Sequence, residues 1–323
     1  MTLIPFPNFR PSSETRDMVK RHQPPVGRRL ISALIALVAL SGPFILGAFE
    51  TTVFKTPSGA TLELTFRSWQ PGEAILVRLT DRPAGLQTTI RFLGRTYPLD
   101  AKEIPGAGLA FIGLDLGLKP GRYEFEVEDR SDAGGPVSQK RSVEIQSKKF
   151  PRKKLTVKDE YVFFPPEAEE RIRREAELLA RIYEIRIPQW LGEGGFEAPH
   201  PGRALPNFGE LRIFNGVPRS PHSGVDVEAG PNEIVRAANA GTVVLAAELY
   251  LSGNTVVIDH GLGLFTNYCH FSRILVKSGD AVRKGDPIGR VGSTGRSTGP
   301  HLHWGVRIFE ARVDPNSVLG FRF

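Results

Sequence analysis

The chain has 323 residues, 40% hydrophobic and 24% charged, enough to bury cores for two domains and too apolar for a globally disordered polymer. Its 34 glycines and 26 prolines follow no G-X-Y period, which excludes collagen and favours many turns between short strands. The single cysteine, Cys269, excludes an intrachain disulfide and a Cys-rich zinc knuckle, so a metal site must draw on His and carboxylates.

Forty-two Lys and Arg against 35 Asp and Glu give a net charge of +7, but the excess is unevenly spread. Residues 1–29 hold six cations (Arg10, Arg16, Lys20, Arg21, Arg28, Arg29) against Glu14 and Asp17, a net +4, which leaves +3 for the rest. No basic recognition helix or RNP-type aromatic run follows, so nucleic acid is not an expected partner. Residues 1–29 read as a basic cytoplasmic leader. Residues 30–49, LISALIALVALSGPFILGAF, carry no charge and are long enough as a helix to span a bilayer. Gly42-Pro43 divides this stretch, leaving an eleven-residue apolar core as in a signal h-region. The small-residue cleavage pattern after it is poor, which favours an uncleaved membrane anchor over a cleaved signal with a soluble periplasmic product. Either way the basic flank keeps the amino terminus cytoplasmic and sends residues 50–323 outward, into the cell envelope.

Residues 50–157 are expected to form a β-sandwich domain of Ig-like type. TLELTF, AILVRLT, TTIRFLG, GLAFIGLDL, YEFEVED and RSVEIQ alternate with period 2 between turn residues. The cationic stretch SKKFPRKKLTV reads as a solvated linker face. Residues 158–195 are read as helix and linker, the helix over PPEAEERIRREAELLARIYE, residues 165–184, with prolines at its start and Ile172, Leu178, Leu179 and Ile182 on one side. Strands return over residues 196–323, giving a mainly β chain that ends in an antiparallel sheet.

Six of the seven histidines lie after residue 199 and none between 50 and 199. In HLHWGVRI, His301 and His303 are two apart on a predicted strand and share a face, so one can bind metal while its neighbour reaches substrate. In PHSGVD, His222 and Asp226 add an imidazole and a carboxylate from a Gly-containing loop entering a strand. Two His and one carboxylate with an open fourth position is the donor set of catalytic zinc, which lowers the pKa of bound water to about 7. NYCHFS contributes His270. Cys269 alternates with it and is expected to point away as a small buried hydrophobe. His260 is expected to hydrogen-bond rather than ligate.

The joint pattern, HSGVDVEA followed by GNTVVIDHGLGLFTNYCHFSRILVKSGDAVRKGDPIGRVGSTGRSTGPHLHWGV, resembles the LytM/lysostaphin family of zinc metallopeptidases, which cut peptide cross-links in bacterial cell walls. The resemblance covers residues 196–323. It implies that His222, Asp226 and His303 are ligands of one Zn2+ and that His270 and His301 are the two non-ligand catalytic histidines, orienting water, passing protons and stabilising the oxyanion. GELRIFNGVPRSP lacks the tyrosine common in glycine-bridge cutters, which argues against that substrate. An envelope-facing sandwich ahead of the catalytic domain is similar to family members that cut D-Ala to meso-diaminopimelate cross-links. Peptidoglycan peptides are therefore the expected partner, and partners in division or elongation are not specified. The rival is a catalytically silent relative that binds and activates a cell-wall amidase. Such members lack metal or catalytic positions, and this chain has all five. The sandwich and the linker of residues 185–209 are candidates to cover the groove at rest.

Overall fold

Each of the six alternating segments is a strand, and two more join them. In the computed structural model, which describes residues 48–99, 108–131, 134–159 and 162–323, this half consists of β1 (Glu50–Lys55), β2 (Thr61–Phe66), β3 (Ala74–Thr80), β4 (Gln87–Phe92), β5 (Arg95–Pro98), β6 (Gly108–Gly113), β7 (Gly121–Arg130) and β8 (Val137–Ile145). They form two four-stranded antiparallel sheets, ordered β1-β2-β3-β6 and β5-β4-β7-β8. Rings from both pack between them: Phe54 of β1 meets Phe125 of β7, which in turn meets Phe92 of β4. The expected leader (1–29) and apolar stretch (30–49) lie outside the described residues, apart from Ala48 and Phe49. Among the described residues no helix is long and apolar enough to cross a membrane.

Strand β6, GLAFIG, is buried at every position. One of its faces closes the sandwich. The other lies against the carboxy-terminal half, where a Cβ on Gly113 would come within 2.7 Å of Ala311 Cβ. Phe111, fully buried, sits among Trp190, Phe321 and Phe323 at ring separations of 5.0 to 6.2 Å. At roughly 1.5–3 kcal/mol for each fully buried large apolar side chain, Leu109 and Phe111 alone give this seam substantial weight. The apolar core runs without a break from the sandwich into the carboxy-terminal sheet.

The cationic linker keeps Arg152, Lys153 and Lys154 exposed, as expected of a solvated face, while its backbone is paired. Arg152–Leu155 forms β9, which pairs in parallel with β10 (Leu211–Phe214), and β10 pairs with β11 (Val217–Pro218). Between β9 and β10, α1 (Pro166–Tyr183) buries Ile182 and Tyr183 against Leu245, Leu249, Val257 and Phe265, with Leu179 partly covered and Leu178 exposed.

The remaining strands form one antiparallel sheet: β12 (Gly224–Val227), β13 (Ile234–Arg236), β14 (Gly241–Leu249), β15 (Gly253–Asp259), β16 (Leu264–Ile274), β17 (Ala281–Val282), β18 (Pro287–Val291), β19 (Leu302–Ile308) and β20 (Ala311–Val313). Its central order is β12-β19-β16-β15-β14-β17. The fold is thus mainly β, with one α-helix among the described residues.

Candidate active site

Sheet register brings the chemistry together. Strand β12 pairs with β19 so that Asp226 lies opposite His303, and β19 pairs with β16 so that His303 lies opposite Cys269. Residues directly opposite in a ladder share a face, so three neighbouring strands present Asp226, His303 and Cys269 side by side. The loop entering β12 adds His222. Gly224 permits this approach: a Cβ there would stand 2.4 Å from the Trp304 carbonyl oxygen and 2.8 Å from His303 Nε2.

His222 Nε2 is 3.0 Å from Asp226 Oδ1 and 2.9 Å from His303 Nδ1, and His303 Nδ1 is 3.2 Å from Asp226 Oδ1. One ligand-capable atom from each of the three residues lies within 4.8 Å of the others. His222 Nδ1 faces the Asn207 carbonyl at 3.0 Å. A carbonyl only accepts, so the proton sits on Nδ1 and Nε2 turns a lone pair to the centre. Asp226 turns Oδ1 to the two ring nitrogens. Its second oxygen accepts from Asn207 Nδ2 and Arg212 Nη2, both at 2.9 Å. Two imidazole lone pairs and an ionised carboxylate, with His222 and Asp226 braced from outside, fit a divalent ion of zinc type.

The other two histidines face the same centre. His270 Nδ1 lies 2.8 Å from the Thr294 carbonyl, and His301 Nδ1 lies 2.9 Å from the Gly299 carbonyl. By the same reasoning each keeps its proton on Nδ1 and leaves Nε2 free to accept; His301 Nε2 stands 3.6 Å from Asp226 Oδ1. The two rings are 4.8 Å apart. Burial, aided by the neighbouring His303, pushes His270 down to about 3, so the ring is neutral at pH 7.

Cys269 departs from its expected orientation. His270 adopts a left-handed backbone, φ +65°, which breaks the strand's alternation and turns both Cys269 and His270 into the same groove. Cys269 is nonetheless buried, and burial pushes its thiol up to about 11, so it stays protonated. His260 lies elsewhere, fully buried, with Nδ1 2.7 Å from the Ala240 carbonyl and Nε2 2.8 Å from Thr266 Oγ1.

The groove has a volume of about 1020 Å³. Its walls include Lys153 and Leu155 of β9, Leu205 to Asn207, and Arg212, Phe214, Arg219 and Arg296. Among the described residues none of 50–147 lines it, whereas the linker lends it a wall. Sequence reasoning missed Asn207, Arg212 and the whole of β9. Asn207 lies in the linker stretch RALPNFG, where nothing in the local pattern marks a side chain that grips Asp226 on β12.

A family model, peptidase family M23, matches residues 220–315. Over 103 residues the chain is 42% identical to the peptidoglycan DD-endopeptidase ShyA of Vibrio cholerae, covering 32% of this chain and 24% of that protein. Over 97 residues it is 44% identical to the DD-carboxypeptidase/endopeptidase Mpg of Neisseria meningitidis, covering 30% of this chain and 22% of that protein. The matches thus span about a quarter of the length of these curated relatives. The crystal structure of a putative peptidase M23 from Pseudomonas aeruginosa superposes with a TM-score of 0.60 at 29% identity, covering 79% of this chain and 96% of that one. That coverage exceeds the carboxy-terminal part and takes in the sandwich as well. With the spacing of the five site residues and the sheet that carries them, these likenesses identify residues 220–315 as a peptidase family M23 domain of LytM type.

Proposed function

We propose that the chain is a zinc-dependent endopeptidase, exported and anchored at the inner membrane by residues 30–49, that hydrolyses peptide cross-links of peptidoglycan between D-Ala and meso-diaminopimelate. The observation that carries this reading is the convergence of His222 Nε2, Asp226 Oδ1 and His303 Nδ1 beside two further histidines whose Nε2 atoms are free to accept. The names of the curated relatives support the substrate class. The intact set of five counts against the silent amidase activator.

His222, Asp226 and His303 would hold the ion. When bound, it supplies Lewis acidity toward a carbonyl and makes water a competent nucleophile at neutral pH. The chain's own groups do the rest. His270, neutral at pH 7, and His301, both fixed through Nδ1, take the proton from water at Nε2, return one to the departing amine nitrogen, and in between face the oxyanion as N–H donors. Asn207 and Arg212 hold Asp226 in its ionised state and fixed orientation, so little reorganisation is needed during reaction. The test is incubation of the purified chain with muropeptides of defined cross-link, with and without chelator, followed by mass analysis. Two products from the D-Ala to meso-diaminopimelate dimer, lost with chelator and restored by zinc, are expected. Products insensitive to chelator would refute the metal, and an uncut dimer would refute the bond.

A further inference from the structure

The groove carries more positive charge than its own carboxylates can match. Of its lining cations, Arg212 is taken up by Glu210 and Asp226, each at 2.9 Å. Glu228, also on the wall, is paired with Arg203. Arg219 and Arg296, like the exposed Lys153, are left with no carboxylate within ion-pair distance among the described residues. Arg219 donates from Nη2 to the Val162 carbonyl, while its Nε is buried with no partner. Arg296 makes no side-chain hydrogen bond among the described residues; its guanidinium lies 5.5 Å from the Phe214 ring centre, as that of Arg219 lies 5.9 Å from that of Phe164. Burial, and then the charges of Arg219 and Arg212, hold Arg296 below the usual guanidinium range. Two like charges kept together in a partly dry wall are costly unless an anion arrives to join them. Aromatic rings at their flanks steer the planar forks, and a guanidinium fork matches a carboxylate through two parallel hydrogen bonds.

We infer that Arg219 and Arg296 form a carboxylate subsite on the wall of the groove, which takes a free carboxylate of the bound wall peptide and so selects anionic over amidated substrates. The inference rests on the cross-link reading above. Arg219 comes from the segment after β11 and Arg296 from the loop that ends in His301, so the subsite and the catalytic centre share elements.

The test uses the zinc-loaded full chain and three versions of the D-Ala to meso-diaminopimelate dimer: unmodified, amidated at diaminopimelate, and amidated at the terminal carboxylate. The parent is expected to lose about 10–100-fold in kcat/KM, mostly through KM, on one amidated form, which names the carboxylate. Arg296→Gln is expected to lose the same factor on the unmodified dimer and little more on that amidated form. Arg296→Lys and Arg219→Lys, which keep the charge, recover part of the loss. Equal cleavage of all three dimers by the parent, or an equal loss by Arg296→Gln on all three, overturns the subsite. If the parent cuts none of them, the cross-link reading fails, and calorimetry on chelator-treated chain decides the subsite alone. The probe is the uncleavable tripeptide L-Ala-γ-D-Glu-meso-diaminopimelate: binding by the parent that Arg296→Gln loses upholds the subsite, and no binding, or binding Arg296→Gln keeps, overturns it.

Discussion

Asn207 grips Asp226 twice: its amide nitrogen donates to the carboxylate Oδ2 at 2.9 Å, and its amide oxygen accepts the Asp226 backbone N–H at 3.1 Å. The same residue's carbonyl accepts from His222 Nδ1 at 3.0 Å. One residue of an irregular loop therefore orients two of the three proposed ligands. Asn207→Ala is expected to weaken zinc binding by about 10–100-fold, the usual cost of losing an outer partner of a ligand. Competition with a chromogenic chelator measures it, and an unchanged affinity would remove Asn207 from the site.

The two histidines of HLH are predicted to separate by phenotype. His303→Ala deletes a nitrogen from the cluster and should lose both bound zinc and activity. His301→Ala deletes a ring held by the Gly299 carbonyl, outside the cluster, and should keep most of its zinc while turnover falls by about 10²–10⁴-fold, the range for a lost acid or base. Metal analysis of both proteins beside their rates is the check. Equal zinc loss would mean that the roles are wrongly divided.

Much of this arrangement is legible in the sequence, and what escapes does so for physical reasons. Period-2 alternation marks β2, β3, β4, β7 and β8, and the histidine-carboxylate spacing marks the five site residues, because both are short-range patterns. Strand β9 is written in Arg and Lys, so its composition speaks for solvent, and only its partner β10, more than fifty residues on, makes it a strand. The side of Cys269 is lost because alternation assumes an extended backbone, and His270 at φ +65° does not supply one. Strand β6, read as alternating with the rest, is instead buried on both faces, because a second body covers the face that alternation assigns to solvent.

Asp259 and His260 are adjacent, both buried, and titrate with opposite consequences. Burial, with Oδ2 left unpartnered, pushes Asp259 up to about 6, so the native state holds a proton that the unfolded chain has lost. Its contribution to stability is present below pH 3.8 and disappears as pH rises through 6. Burial pushes His260 down to about 4, so its contribution is present above pH 6.5 and disappears as pH falls through 4. Asp259→Asn removes the first effect alone. Relative to the parent, that variant is expected to gain about 2 kcal/mol between pH 4 and pH 6 and almost nothing further above 6.5. Urea titrations of both proteins across that range provide the measurement, and a difference independent of pH would show that Asp259 ionises freely.

Arg67 ties the sandwich to the carboxy-terminal half. Its guanidinium bonds Glu73 at 2.8 and 3.0 Å and Asp314 at 2.8 Å, with side-chain exposures of 12%, 4% and 14% for the three residues. Burial opposes its charge, and the Asp314 and Glu73 carboxylates overcome it, keeping the guanidinium above its usual range. Arg67→Met leaves two carboxylates nearly buried, with Lys148 at 2.8 Å as the remaining cation on Glu73 alone. The expected loss is about 3–5 kcal/mol, the cost of breaking a buried pair from one side. Arg91→Met, which breaks an ion pair with Glu128 whose cation is 46% exposed, should cost far less, because solvent screens that pair. Since the apolar core is continuous through Phe111 and Phe321, the loss at Arg67 should lower the melting temperature of one transition by about 5–15 °C. Differential scanning calorimetry reads both quantities. A parent that melts in two steps, with Arg67→Met shifting only the sandwich, would mean that the two halves fold independently and that the contact at Asp314 carries no weight.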